Sequence, residues 1–524
     1  MPGSRMICKV QTTNMGRFRS LPDLNFDILL QIISLLTRAD VSSLTRTCRA
    51  LRAALSAELA REVVTLEGPQ LTSFLAFASV KDERDRLFYF RTLVLPGSTY
   101  DGSLSSGEQA ISMRDVKQAI LGIFKLASTN LESLSVLDVD AFSFRPMELK
   151  KLLSSLPNLR ELELSGLDKK HQTALADTLP HLRTLTLSFL EHETNALPFL
   201  KCPHTALQEL TLRNGTFNLK DDSQTLSLPT VHTLRAAPAT LPSDVDAYTL
   251  VFPNVQHLTL DFPRDYCRMD AEFCKRMPRC HPDIEWPSPH TGDQTSGWRA
   301  AFLQRPSKKA DAWPHLETLR AAGYGAGRLS WAGLTCRVPR LEVCSSRLLN
   351  AQLGEVLGEL RPRCVVFHPR SFDGPWKGQP CGWGLLLALQ GAPFVTRLVV
   401  VVCGRVREYV SQGVWLTNFC RYLEKASVSC LLLRLDFEYP PSRERADQLE
   451  TWRVTMSNIP SLRVLLFQVE DEVVLGWAKK ERDRLGLGRE WGEMNEGARS
   501  KFLASENLCP VSIEPCEQCE MSSE

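Results

Sequence analysis

Cysteine and histidine gather twice in this sequence, and both gatherings invite a search for metal or redox chemistry. Cys267, Cys274, Cys280 and His281 are ligand types for zinc. Structural zinc sites, however, take cysteines in pairs roughly two to four residues apart, and this set has none. They read as loop thiols. Cys509, Cys516 and Cys519 contain one Cys-x-x-Cys, but Glu514, Glu517 and Glu520 stand beside them. Neighbouring carboxylates raise a thiol pKa, the opposite of what a reactive cysteine needs. His192-Glu193 has Ala196 where the second histidine of an H-E-x-x-H helix belongs. Gly323-Tyr-Gly-Ala-Gly327 follows a strand-like run, but Arg328 stands where a dinucleotide loop needs its third glycine. Neither a P-loop nor a G-x-S-x-G elbow is present. The reading is of a chain that is not an enzyme and needs no metal or cofactor, so its chemistry is that of a binding surface.

That surface comes from a recurring strand signal, Pro/Asn-x-apolar-x-x-Leu-x-apolar. It stands clearest as PNLRELEL from Pro157, PHLRTLTL from Pro180, ALQELTL from Ala206, PTVHTLRA from Pro229, PNVQHLTL from Pro253, PHLETLRA from Pro314 and PSLRVLLF from Pro460. Alternate residues of a strand face opposite sides. With the leucines turned inward, the other face presents Glu161, Glu163, Thr184, Thr186, Ser188, Glu209, Thr211, Arg213, Thr233, Arg235, His257, Thr259, Asp261, Thr318 and Arg320. A continuous polar ledge of mixed charge fits a protein patch better than a small metabolite, which wants a deep apolar pocket. Trp286 and Trp298, in a segment rich in Cys, His and Trp, are candidates for a second contact.

The first apolar position of the signal steps through Leu131, Leu159, Leu182, Leu207, Val231 and Val255, at intervals of 28, 23, 25, 24 and 24 residues. Those intervals lie inside the leucine-rich-repeat range of roughly 20–29. Leu149, Leu152, Leu153 and Leu156 recur at helical spacing between strand signals, and Leu175 and Leu179 repeat the idea. Each unit is therefore a strand followed by a helix, and stacking them in parallel buries the leucines. The period breaks at an insertion over about 262–312, read as partly helical around Ala271 to Arg276. It resumes at Leu316 and Leu341, blurs from Cys364 to Phe367, and recovers near Val395, Val428 and Leu462. This pattern resembles the leucine-rich repeats of F-box proteins. Where that family usually sets an Asn or Cys to tie adjacent turns, this chain has Leu167, Leu190, Gly215 and Pro263. An irregular arc is expected.

Ahead of the repeats, Leu21 to Leu55 reads as three short helices. Asn25 stands at an N-cap position, Ile28, Leu29, Ile32, Leu35 and Leu36 follow at helical spacing, and Thr37 and Asp40 can cap a second helix carrying Val41 and Leu44. A third carries Leu51 and Leu55. So small a unit is marginal alone. The stretch resembles the F-box, on Leu21-Pro22, Ile28-Leu29, Ile32-Ile33, Leu36, Asp40-Val41, Leu44 and the Cys48-Arg49 to Leu51-Arg52 ending. It departs from that family in its lengthened opening and in Leu51, where an aromatic is usual. The whole looks like an F-box protein of the fungal type with degenerate leucine-rich repeats. The resemblance implies a substrate-recognition subunit of an SCF-type ubiquitin ligase. It would dock a Skp-family adaptor, and through it a cullin, by Leu21, Pro22, Ile28, Leu29, Ile32, Leu36, Val41, Leu44 and Leu51, while the ledge holds an unknown target protein. The rival reading is a repeat scaffold with a helical N-terminal cap and no ubiquitin role.

The expected fold class is α/β: a leader over 1–20, the F-box-like unit over 21–65, and an irregular leucine-rich-repeat solenoid over 66–470 with strands on its concave face and helices on its convex face. A charged helical segment and disordered tail follow over 471–524. The chain has 524 residues, with 62 basic against 60 acidic side chains and a net charge of +2. So even a balance argues against bulk attraction to nucleic acid or an anionic membrane. Sixteen scattered cysteines are too sparse for a disulfide framework and fit a reducing compartment. With no apolar leader and no long apolar run, the expectation is a cytoplasmic or nuclear protein.

Overall fold

A computed structural model describes residues 91–96, 113–127, 129–142, 144–171, 175, 181–190, 194–200, 206–216, 226–237, 248–262, 313–323, 334, 336–345, 350–369, 383–403, 414–436, 442–469, 472–479 and 491–505, with 43–44, 47, 51, 64–66 and 74 ahead of them. The chain divides into two compact units, Met1–Gly166 and Leu167–Glu524.

The first unit alternates strand and helix: β1 (Val64–Thr65), β2 (Thr92–Pro96), α1 (Met113–Ala127), β3 (Ser133–Leu137), α2 (Pro146–Ser154) and β4 (Glu161–Leu167), with the unit ending at Gly166. The strands pair in parallel in chain order. Leu93, Leu134 and Leu162 share one buried row and Leu95, Val136 and Leu164 the next. Leu149, Leu152 and Leu153 of α2 are buried, as their spacing predicts. Pro146 starts that helix at a position where its missing N–H costs nothing, and the Glu148 carboxylate accepts from the Arg145 backbone N–H at 2.9 Å. The turn after β3 requires a glycine opposite it. Asp138 lies at φ 92°, and a Cβ on Gly166 (φ +72°) would come within 2.6 Å of the Asp138 carboxylate.

The second unit has twelve strands in one sheet among the described residues: β5 (Thr184–Phe189), β7 (Glu209–Arg213), β9 (Thr233–Ala236), β10 (His257–Phe262), β11 (Thr318–Gly323), β12 (Arg340–Ser345), β13 (Cys364–Pro369), β14 (Arg397–Cys403), β15 (Cys430–Asp436), β16 (Val464–Val469), β17 (Glu472–Lys479) and β18 (Trp491–Glu493). β6 (Thr194–Asn195) and β8 (Gly215–Thr216) pair separately. From β5 to β16 every neighbour is parallel, and the same apolar positions stay in register throughout. One row runs through Leu185, Leu210, Leu234, Leu258, Leu319, Leu341, Val365, Leu398, Leu431 and Leu465, all buried. Helices α3 (Asn350–Leu360), α4 (Trp383–Gln390), α5 (Val414–Leu423) and α6 (Ser442–Ser457) fill the crossovers of β12 to β16 and pack side by side in that order. Trp452 of α6 lies 6.0 Å from the Phe467 ring of β16, seating the helix on the leucine side of the sheet.

The period break is an excursion from an intact sheet. β10 and β11 pair directly, His257 beside Thr318, although 263–312 lies between them in sequence. The chain returns through Trp313, which is fully buried and donates its indole N–H to the Phe252 carbonyl at 2.7 Å. The tie between successive repeats comes from a position the family pattern does not use. The Asn158 amide donates to the Thr129 carbonyl at 2.5 Å in the first unit, and Asn254 to the Pro229 carbonyl at 2.9 Å in the second. The Asn of the Pro-Asn signal thus satisfies a carbonyl one repeat back.

Beyond 470 the expectation of a helical segment is corrected. The first element is β17, a strand antiparallel to β16, and β18 pairs antiparallel to it. Val473, Val474 and Trp477 favour a strand, and the charged composition after them masked that signal. Among the described residues a helix follows, α7 (Glu496–Ser505), where the Asn495 side chain accepts the Ala498 N–H at 2.8 Å and caps it.

Candidate protein-binding face

The strand register that buries the leucines lines up the alternate residues on the opposite, open face. Thr184, Glu209, Thr233, His257, Thr318 and Arg340 form one row, and Thr186, Thr211, Arg235, Thr259, Arg320 and Glu342 the next. Ser188, Arg213 and Asp261 continue further along their strands. Glu209 and His257 are exposed; Thr184, Thr186, Thr211, Arg213, Arg235, Thr259, Asp261 and Arg320 are half-buried. The structure therefore brings together every predicted ledge residue of the second unit on one face. In the first unit Glu161 is exposed and Glu163 half-buried, its carboxylate accepting the Ser135 hydroxyl at 2.7 Å.

The ledge is held by ion pairs across strands. Arg235 donates through Nε to Asp261 Oδ2 at 2.6 Å, a contact that fixes the guanidinium plane. Arg320 and Glu342, neighbours in register, approach at 3.3 Å, and His368 Nε2 of β13 lies 3.2 Å from the same Glu342 oxygen. Glu342 is 4 % exposed and His368 5 %. Burial alone pushes the Glu342 carboxyl up; the His368, Arg320 and Arg340 side chains outweigh it and hold the group below its ordinary value. The three atoms Arg320 Nε, Glu342 Oε1 and His368 Nε2 meet at ion-pair distance but off hydrogen-bond alignment.

Past Glu342 the same row turns apolar: Val366, Val399, Leu432 and Leu466. The row beside it continues from Arg340 to Cys364, Arg397, Cys430 and Val464. With Val401, the residues Cys364, Val366, Val399, Cys430, Leu432 and Leu466 form a second core, against which Met494, Phe502 and Leu503 pack. Burial pushes the Cys430 thiol up to about 12 and raises Cys364 as well, so both behave as small hydrophobes. Sequence reasoning missed Glu342, His368 and this covered face. The signal for the face was present, since strands buried on both sides read as unbroken apolar runs such as Leu398–Val402.

Of the proposed adaptor contacts, Leu21, Pro22, Ile28, Leu29, Ile32, Leu36 and Val41 lie outside the described residues, as do Cys267, Cys274, Cys280, His281, Trp286, Trp298 and the C-terminal cysteines. Leu44 is helical and half-buried; Leu51 is helical and 3 % exposed, so its side chain packs inside this chain. Among the described residues no group of three or more His, Cys, Asp or Glu is placed to hold a metal ion, and no helix is long and apolar enough to cross a membrane.

No protein-family model and no curated protein matches the chain. Among solved structures it is similar to the leucine-rich repeat-containing protein LegL7 from Legionella pneumophila, at 13% sequence identity and a TM-score of 0.34, over 67% of this chain and 87% of that one. A likeness so distant carries no argument about partners; the repeat architecture rests on the register above.

Proposed function

We propose that the chain is a repeat-based protein-interaction module whose ledge on β5 to β11 holds a target protein, and that it serves as the substrate-recognition subunit of an SCF-type ubiquitin ligase. The ledge carries the first part: a register-ordered polar face with fixed ion pairs suits a protein surface. The second part is supported by the F-box resemblance of Leu21 to Leu55. In this reading a Skp-family adaptor docks on that stretch, a cullin joins through the adaptor, and the target is held near a ubiquitin-loaded enzyme supplied by others. The work is done by proximity, so the chain needs no catalytic group or cofactor of its own. Its place would be the cytoplasm or nucleus.

Capture of a purified Skp-family adaptor by the full chain, alongside a variant with Leu21, Pro22 and Ile32 changed to Ala, tests the ligase reading. Capture by the intact chain and its loss in the variant is the expected result. No capture by either leaves the repeat scaffold with a helical cap, a reading that the burial of Leu51 favours.

A further inference from the structure

Three ionisable side chains meet where the ledge gives way to the second core, and one oxygen stands between two competitors. Glu342 Oε1 lies 3.3 Å from Arg320 Nε and 3.2 Å from His368 Nε2. All three atoms are buried, and none of them makes a hydrogen bond. The same ledge shows what a completed pair looks like, since Arg235 Nε donates to Asp261 Oδ2 at 2.6 Å. A buried carboxylate oxygen aligned on neither neighbour forgoes the strength that either bond would have in a low-dielectric site. The arrangement is therefore poised between two better ones, with the carboxylate aligned on Arg320 or on His368.

The imidazole decides between them. Neutral, it presents Nε2 as a lone pair or as an uncharged N–H; proton uptake makes Nε2 a charged donor whichever tautomer came before. The other charged or titratable side chains described on this face are Arg340 and Cys344 of β12, Cys364 of β13, Arg397 of β14 and Arg434 of β15, while α7, over the second core, carries Glu496, Arg499 and Lys501. On β11 to β14 Glu342 is thus the one carboxylate among the described side chains of this face, and a second cation beside it competes with Arg320 for it. The three side chains are unequally free to yield. Those of His368 and Glu342 are 7% and 6% exposed, whereas that of Arg320 is 21% exposed. Arg320 is the member that can turn outward, into the ledge row it shares with Thr259 and Arg235.

We propose that Glu342 and His368 form a proton-operated switch for Arg320: proton uptake by the imidazole draws the carboxylate to His368 and turns the Arg320 guanidinium out onto the ledge, where it takes a carboxylate of the target. With the imidazole neutral, Arg320 stays paired to Glu342 and the ledge shows one cation fewer. The inference rests on the ledge being the face that holds a target, but the switch itself works in the free chain. It involves no residue of the F-box-like stretch.

The test uses the full chain with no target present, so a failed switch and a ledge without a target are separate results. Modification of Arg320 by phenylglyoxal is followed by peptide mass spectrometry and divided by that of Arg213, half-buried on the same face, which cancels the reagent's own pH dependence. The ratio should rise at least about 5-fold between about pH 8.5 and pH 5.5, a range that brackets histidine titration. Its midpoint should match the pH at which His368 takes its proton, read on the same chain from deuterium exchange at the imidazole C2 hydrogen. In His368→Gln the rise should vanish. A constant ratio in the intact chain, or midpoints more than about 1 pH unit apart, would overturn the switch. A rise that survives in His368→Gln would assign it to another group and overturn it equally. If that variant does not unfold cooperatively, the two midpoints of the intact chain decide alone.

Discussion

Thr211 and Leu466 occupy the same register row of one sheet, yet one faces an open ledge and the other the floor of a second core. Between them the row passes Arg235, Thr259, Arg320 and Glu342, and the change happens at Glu342. One backbone plan therefore serves two purposes. From β5 to β11 only the leucine side is buried, so the open side is at liberty to carry polar side chains. From β13 to β16 both sides are buried, and a strand buried on both sides must be apolar throughout. The repeat fixes which residues face outward, while the elements laid over the sheet decide what those residues have to be.

A charge placed at each end of the row separates the two halves most strongly. Leu466→Asp puts a carboxylate into the second core with no partner, and a loss of about 4 kcal/mol or more is expected. Thr211→Asp places the same group on the open ledge, where a change within about 0.5 kcal/mol is expected. Chemical denaturation of the two variants against the parent chain reads the difference. Similar losses would mean that the ledge is covered as fully as the second core.

Glu342 sits at the boundary and should fall between those extremes. Glu342→Ala removes the carboxylate paired with Arg320 and His368 and leaves both facing an apolar neighbour, at a cost of about 3 kcal/mol. The carboxyl is held below its ordinary value of 4.5 in the folded chain. A depressed folded value means that its contribution is complete above the unfolded value and is lost as pH falls through the folded one. The stability difference between the parent chain and Glu342→Gln should therefore shrink as the pH falls below the ordinary carboxylate range. A difference that grows over that fall would mean that His368 and Arg320 do not brace this carboxylate.

How much of this was legible in the sequence depends on whether a residue's role is set by its own strand or by what lies above it. The leucine rows were legible, because a period of 23 to 28 residues with fixed internal spacing leaves one way to bury them. The ledge residues followed from alternation alone. Glu342 was not legible: in RLEVCS it looks no different from Glu209 in ELTL, and only His368, 26 residues further on, makes it a buried hub. The second core was half legible. The run Leu398–Val402 abandons alternation, which announces burial on both faces, but nothing in that run says that Met494, Phe502 and Leu503 pack against it. Of the proposed F-box contacts the structure describes Leu44 and Leu51, so the docking role rests on the resemblance.

The smallest expected effects come from two glycines of the second unit, one under the cover and one in open solvent. Gly476 pairs with Leu466 of the second core, and its missing Cβ leaves room for the Leu466 methyl and the Arg499 side chain, which would stand 2.8 and 3.1 Å from a Cβ there. Gly476→Ala forces both to shift. They are flexible side chains, so the loss should be about 1 kcal/mol, accompanied by faster exchange in α7. Gly358 is an exposed position inside α3 with nothing within 4 Å of where a Cβ would stand, so an added methyl meets only solvent. Gly358→Ala should raise stability by about 0.5–1 kcal/mol, since alanine loses less chain entropy on entering a helix and meets no obstacle there. The two substitutions add the same methyl group with opposite signs. If Gly476→Ala were neutral and left α7 exchange unchanged, the approach of Arg499 to Gly476 would not couple the helix to the sheet.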